Sequence, residues 1–118
     1  TPILERFPAK LDLAEEFYWH LRGDPSGITV LATSPAGPAI ASKPHSAPPK
    51  LEDLDGKKWP VMWTKEVGRG RVFASCAGHN YFTFNAPYFR IILLRAMAWT
   101  MRESFDPFKP LVTLRLER

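Results

Sequence analysis

The chain has 118 residues, of which 45% are apolar, and it carries a formal charge of +4. This length suits one domain, and this composition is typical of a globular protein rather than a disordered one. The longest apolar stretch, residues 91–101, is interrupted by Arg95 and is shorter than the roughly 20 residues that a membrane span requires, so no membrane partner is expected. Basic side chains are scattered among acidic ones, which argues against nucleic-acid binding.

Cysteine and histidine are too sparse to indicate a redox compartment or a metal site. Cys76 is the only cysteine, so an internal disulfide is excluded, and the localisation stays undetermined. His20, His45 and His79 show no spacing that completes a set of metal ligands with it, so no metal site is predicted and any cofactor is unknown.

Turn residues and apolar runs organise the first half of the chain. Residues 23–27 (GDPSG) predict a turn, and the β-branched run at residues 28–32 predicts a buried strand. Residues 34–50 contain five prolines and predict a long surface loop, because proline neither continues a helix nor donates to a sheet.

Residues 59–67 and 71–76 predict a β-hairpin. Gly68-Arg69-Gly70 would supply a three-residue connection with glycine in the left-handed position. The second strand is mostly apolar, and we expect it to be covered on both faces. The two glycines lie within a hairpin instead of opening a helix, so they do not indicate a phosphate-binding loop.

A long amphipathic helix is predicted to follow the hairpin, with Asn85 as its N-cap. Apolar residues at helical spacing form a broad face on which Phe89 and Trp99 are the expected anchors, while Arg95 is expected to face solvent. Pro107 and Pro110 are predicted to end this helix. Residues 104–118 would form a C-terminal tail, in which residues 111–117 are either an edge strand or extended chain.

The turn after the second hairpin strand, residues 77–80 (AGHN), is the predicted functional position, because α/β proteins bind ligands beyond the carboxyl ends of their strands. For His79, ligand binding and a hydrogen bond to a loop carbonyl both stay open. A pair with Cys76 is not expected, since residues three apart in a strand point to opposite faces. The adjacent Glu15 and Glu16 project differently and do not form an acid–base pair by themselves. The residues alone indicate a site but no reaction.

Several stretches carry a family resemblance in the order in which they occur. They are Pro2-Ile3, Phe7-Pro8, Glu15-Glu16-Phe17-Tyr18, Val30-Leu31-Ala32-Thr33, and the continuous runs PVMWTKEVGRGRVFASCAGHNYFTF (residues 60–84) and NAPYFRIILLRAMAWT (residues 85–100). Together they resemble the ThuA-like (trehalose utilization) family, whose fold is that of class I glutamine amidotransferases.

The resemblance implies a flavodoxin-like, class I glutamine amidotransferase-like three-layer α/β domain, of which residues 1–118 are the C-terminal part. The first βα units and the triad cysteine would then precede Thr1, and the triad histidine would lie near the position of His79. Tyr81 stands where the resemblance places the triad acid, and Asn80 stands where the family commonly has aspartate. Ordinary glutaminase chemistry is therefore not expected.

The leading hypothesis is a domain that binds or processes a small carbohydrate. Its catalytic residue would be His79, and its ligand-binding residues would be Glu16, Tyr18, Gly78, Asn80 and Tyr81. The alternative is a non-catalytic interaction or structural module that keeps the fold. Because a sheet of few strands leaves a face and an edge uncovered, the missing N-terminal half or a second copy of the chain is the expected protein partner.

Overall fold

The computed structural model describes residues 1–18, 21, 23–35 and 58–112, which form a mixed α/β unit with a three-stranded antiparallel sheet. The principal elements are β1 (Ile28–Pro35), β2 (Lys58–Val67), β3 (Gly70–Ser75), α1 (Pro87–Met101) and α2 (Lys109–Val112). Short 3₁₀ helices span Pro2–Leu4, Tyr81–Asn85 and Asp106–Phe108. The predicted loop over residues 34–50 starts later than expected, because β1 continues to Pro35; the rest of that loop lies outside the described residues.

The sheet has the order β1-β2-β3, and the predicted hairpin of β2 and β3 is confirmed. Val67 pairs with Gly70, so the connection has two residues instead of three, with Gly68 at a positive φ of 56°. Since β1 and β3 both run antiparallel to β2, they run in the same direction. Their carboxyl ends therefore lie at the same edge of the sheet, where the chain leaves β3 towards residues 76–80.

The hairpin strand β3 is only partly covered on the face away from α1. Phe73 is partly buried and packs against the core, but Val72, on the opposite face, is exposed. Val30 of β1 is exposed on that same opposite face. The prediction that both faces of β3 are covered was therefore wrong in the described part of the chain, because α1 packs on only one side of the sheet. No residue of β1 is fully buried, so the prediction for residues 28–32 was right about the strand and wrong about its burial, because β1 lies at the edge of the sheet.

Helix α1 begins one residue later than predicted. Its N-cap is Ala86, and Asn85 closes the preceding 3₁₀ helix instead of capping α1. The Asn85 side chain is used differently: its Oδ1 accepts a hydrogen bond from Arg90 Nη2 at 2.7 Å. Pro87 occupies the first turn, as expected, where its missing N–H costs little.

Helix α1 also ends earlier than predicted. It stops at Met101, and Arg102 adopts a left-handed conformation with its N–H bonded to the Trp99 carbonyl. Pro107 and Pro110 therefore follow the end of the helix instead of causing it. Residues 109–112 form the short helix α2, so the start of the predicted edge strand or extended tail is helical; residues 113–118 lie outside the described range.

The core joins α1 to the sheet and to the N-terminal segment. It contains Ile3, Met62, Phe89, Ile92, Ala96 and Trp99. Phe89 and Trp99 are both buried in it, as the helical periodicity predicts. Among the described residues, no helix has the length and apolar character needed to cross a membrane.

Arg95 is buried, with 1% of its surface exposed, which contradicts the expectation that it faces solvent. Its Nη1 donates to the carbonyl oxygens of Ile3 at 3.2 Å and Glu5 at 2.7 Å. The helical spacing places Arg95 on the buried face of α1, since it lies three residues after Ile92 and four before Trp99. The positive charge favoured a solvent-exposed position, but the N-terminal segment covers this part of the helix and supplies carbonyl oxygens that accept hydrogen bonds from the guanidinium. Desolvation lowers the pKa of Arg95 as a result.

Candidate functional site

The candidate site begins where β3 ends at Ser75. The Cys76 N–H donates to the Val61 carbonyl at 2.8 Å, and the Ala77 N–H donates to Ser75 Oγ at 3.1 Å, so the chain leaves the sheet in a fixed direction. Gly78 then has a φ of 124°, and a Cβ there would lie 3.2 Å from the Phe84 ring. Glycine is needed at this position for its backbone freedom and for the close approach of that ring.

Glu15 binds this loop from the N-terminal segment. One carboxylate oxygen, Oε2, accepts the Gly78 N–H at 2.8 Å. The other, Oε1, accepts the Asn80 N–H at 3.2 Å and the Asn80 side-chain amide at 3.0 Å. These contacts join positions that are 63 and 65 residues apart in the sequence, and they enclose His79 between them.

The Glu15 carboxylate is held in its ionised form. Partial desolvation acts to raise its pKa, but hydrogen bonding from Thr83 and from the N–H groups of Glu16, Gly78 and Asn80 outweighs it and lowers the pKa to about 2. The Thr83 hydroxyl is buried but makes no hydrogen bond of ordinary geometry within the described ranges. The N–H contacts that Glu16, Gly78 and Asn80 make with the carboxylate, at 2.8–3.2 Å, are therefore the firmest cause of the lowered pKa.

Glu16 reaches the imidazole itself. Its Oε2 lies 3.6 Å from His79 Nε2, and the two side chains are 64% and 46% exposed. Neighbouring residues of an extended chain point to opposite sides. Glu15 therefore faces the loop backbone while Glu16 faces the His79 ring, so a carboxylate and an imidazole stand side by side on an open surface.

The other predicted site residues fall into two groups. Gly78 and Asn80 form the loop, but both give their backbone N–H groups to Glu15. Tyr81 follows the loop with 82% of its surface exposed, and Tyr18 is an exposed residue two positions after Glu16.

Sequence reasoning missed Glu15 as a site residue. Its signals were a place next to Glu16 and membership of the Glu15-Glu16-Phe17-Tyr18 stretch of the family resemblance, and neither indicated a partner in a distant loop.

Cys76 lies beside the loop and is half-buried. Burial raises the pKa of its thiol, which keeps it in the unreactive protonated form. This agrees with the expectation that Cys76 and His79 do not form a nucleophile and base pair. Within residues 1–18, 23–35 and 58–112, no three His, Cys, Asp or Glu side chains come together as a metal-binding group.

Comparison with known proteins gives a family for this chain. The ThuA family model, described as trehalose utilisation, matches residues 1–100. A search of curated proteins and a search of solved structures each found no match. The matched range contains Glu15, Glu16 and the whole loop of residues 78–80, and it confirms the resemblance carried by residues 60–100.

Proposed function

Because the chain belongs to the ThuA family, whose description is trehalose utilisation, we propose that it binds or processes a small sugar at the loop that carries His79. The single observation that carries this proposal is the pair formed by Glu16 and His79, with 3.6 Å between Oε2 and Nε2. A carboxylate accepts hydrogen bonds from sugar hydroxyls, and an imidazole either donates or accepts one. Two such groups on one open surface suit a ligand with neighbouring hydroxyls.

Aromatic side chains beside the loop support a sugar as the ligand. Tyr81 is almost fully exposed, and its ring packs edge-on against Phe82 with 5.9 Å between centroids. Phe82 and Phe84 are also exposed. The C–H faces of sugar rings pack on such aromatic surfaces while their hydroxyls bond to polar neighbours. Tyr81 and Tyr18 are therefore proposed as stacking residues, and Glu16 and His79 as the hydrogen-bonding ones.

We propose that this chain does not hydrolyse glutamine. A triad needs a nucleophile, a base and a group that orients the base. Glu16 stands next to His79 in the place of such an orienting group, although it comes from the N-terminal segment instead of from position 81. The thiol of Cys76 is protonated because of its raised pKa, so this chain offers no activated nucleophile at that position.

For the finer architecture we propose the flavodoxin-like, class I glutamine amidotransferase-like three-layer domain, with residues 1–118 as its C-terminal part. The common direction of β1 and β3, and the packing of α1 on one face of the sheet, support it. The exposed apolar side chains Val30 and Val72 on the other face are where we propose that a preceding half of the domain, or a second copy of the chain, adds cover.

The second candidate function is a non-catalytic interaction module. The observation that favours it lies away from the loop, on the outer face of α1. Leu94, Met97 and Met101 are exposed there at positions i, i+3 and i+7. Apolar residues at this spacing form a continuous stripe of the kind that packs against another protein.

Titration calorimetry with trehalose, maltose, sucrose and glucose separates the two functions. We expect saturable heat with at least one sugar, its loss in His79→Ala, and normal binding in the control Glu66→Gln. Glu66 is an exposed carboxylate near the hairpin turn, at the other end of β3 from the loop. Silence across the panel with folded protein would reject the sugar-binding proposal and favour the interaction module.

A further inference from the structure

We infer that Glu15 is a positioning residue, whose carboxylate fixes the loop of residues 78–80 so that the His79 ring meets the Glu16 carboxylate. The consequence for ligand binding rests on the proposed function, but the positioning itself is a property of the protein without ligand. Neither the family description nor the sequence pattern gives Glu15 this role.

The two carboxylate oxygens of Glu15 divide their hydrogen bonds between the two sides of His79. Oε2 holds the N–H of the preceding residue, Gly78, at 2.8 Å, and Oε1 holds the N–H of the following residue, Asn80, at 3.2 Å. The Asn80 side-chain amide adds a third bond at 3.0 Å. Because the backbone is held on both sides of His79, its Cα–Cβ direction is fixed by a single side chain.

The same dipeptide supplies the partner of the imidazole. Glu16 is more than half exposed, and the contact of its side chain that defines the site is the 3.6 Å approach to His79 Nε2. The backbone of residue 16 is set by where Glu15 is bound. The Glu15 contacts therefore set the distance between Glu16 and His79 in two ways. They hold the loop that carries His79, and they hold the N-terminal segment that carries Glu16.

A carboxylate is required here because every group of the loop that contacts the Glu15 carboxylate is an N–H donor. Hydrogen bonds from N–H groups to an ionised oxygen are shorter and stronger than those to a neutral one. A glutamine at position 15 has nearly the same shape but offers one acceptor oxygen and one NH₂ group. That NH₂ would face one of the loop donors, and one side of the loop would be released.

The test uses NMR of the sugar-free chain and compares wild type, Glu15→Gln, Asn80→Ala and the control Glu66→Gln. Two readouts are measured: hydrogen exchange of the Gly78 and Asn80 amides, and the NOE between the Glu16 γ protons and the His79 ring. In Glu15→Gln we expect exchange at one or both amides to accelerate about tenfold or more, as loss of a charge-assisted bond predicts. The NOE should disappear in Glu15→Gln and persist in the control.

Asn80→Ala keeps the proposal testable if Glu15→Gln does not fold. It removes only the side-chain bond at 3.0 Å and leaves both backbone bonds possible. We expect a weaker NOE and faster exchange of the Asn80 amide. An NOE that persists at full strength in the folded variants, or is missing from wild type, would overturn the positioning role. The positioning role would also be overturned if the NOE between Glu16 and His79 survived in a variant whose Gly78 and Asn80 amides had lost their protection from exchange.

A parallel titration with trehalose keeps the two proposals separate. If wild type shows the NOE and the protected amides but binds no sugar, the proposed function fails and the positioning role stands. If wild type binds sugar and Glu15→Gln binds it equally well with an intact NOE, the positioning role fails and the proposed function stands. The expected result is that Glu15→Gln weakens binding about tenfold or more, which corresponds to about 1.4 kcal/mol.

Discussion

Replacement of the buried Arg95 by alanine should be strongly destabilising, although the residue is a charged one on a helix. The guanidinium donates to two carbonyl oxygens, of Ile3 and Glu5, and both would lose their donor. A buried acceptor left without a partner costs about 1–3 kcal/mol. The release of a buried charge, which is itself costly to desolvate, offsets part of this. We expect a net loss of about 2–4 kcal/mol in the free energy of unfolding.

The matched control is Arg102→Ala. Arg102 is an exposed arginine at the end of the same helix, and its side chain donates to the Arg69 carbonyl on the surface. Its positive φ of 62° is equally strained for alanine, which has the same Cβ, so the change should stay within about 0.5 kcal/mol of neutral. Arg95→Met is a third variant, which keeps an apolar chain of similar length and removes the charge. Its loss in the free energy of unfolding should lie between those of Arg95→Ala and Arg102→Ala.

Urea unfolding followed by circular dichroism measures all three variants. With an m-value of about 1–3 kcal/mol/M, the midpoint of Arg95→Ala should fall by about 0.7–4 M, while that of Arg102→Ala should stay close to wild type. Equal midpoints for Arg95→Ala and Arg102→Ala would refute the reasoning, since the buried hydrogen bonds would then contribute nothing measurable.

Trp99→Ala should cost about 3–5 kcal/mol in a denaturation experiment, because the ring is buried against the sheet; a loss below 1 kcal/mol would contradict its place in the core. Ammonia release from glutamine should be absent, and turnover that depends on Cys76 would disprove this. Despite opposing desolvation, hydrogen bonds lower the pKa of Glu15 from 4.5 to about 2. Its ionised form therefore stabilises the fold fully above about pH 4.5, and this contribution is lost as the pH falls towards 2. The stability difference between wild type and Glu15→Gln should shrink over that range, and a constant difference would contradict the assignment.

Sequence reasoning predicts best where the signal is local. The β-branched run at residues 28–32 and the glycine turn at residues 68–70 gave β1 and the hairpin, because strand and turn preferences act over a few residues. The burial of Phe89 and Trp99 followed from helical spacing in the same way. Small errors remained at the element ends, where Asn85 looked like an N-cap but belongs to the 3₁₀ helix before α1.

The failures come from contacts between distant parts of the chain. Arg95 was expected in solvent because it is charged, and only the carbonyl groups of residues 3 and 5 make its burial possible. Glu15 was overlooked because its partners lie 63 and 65 residues further on. Glu16 and His79 were each predicted as site residues, but no pattern in the sequence predicts that they stand side by side.

The central claim, that the loop of residues 78–80 is a sugar-binding site, is tested most directly by an NMR titration of the labelled chain with trehalose. Binding at the proposed site predicts saturable shifts of the Gly78, His79 and Asn80 amide signals and of the His79 ring. Amides at the hairpin turn, near Gly68, should stay unchanged. Saturable shifts confined to residues away from this loop would contradict the claim, and so would the absence of any shift at millimolar sugar.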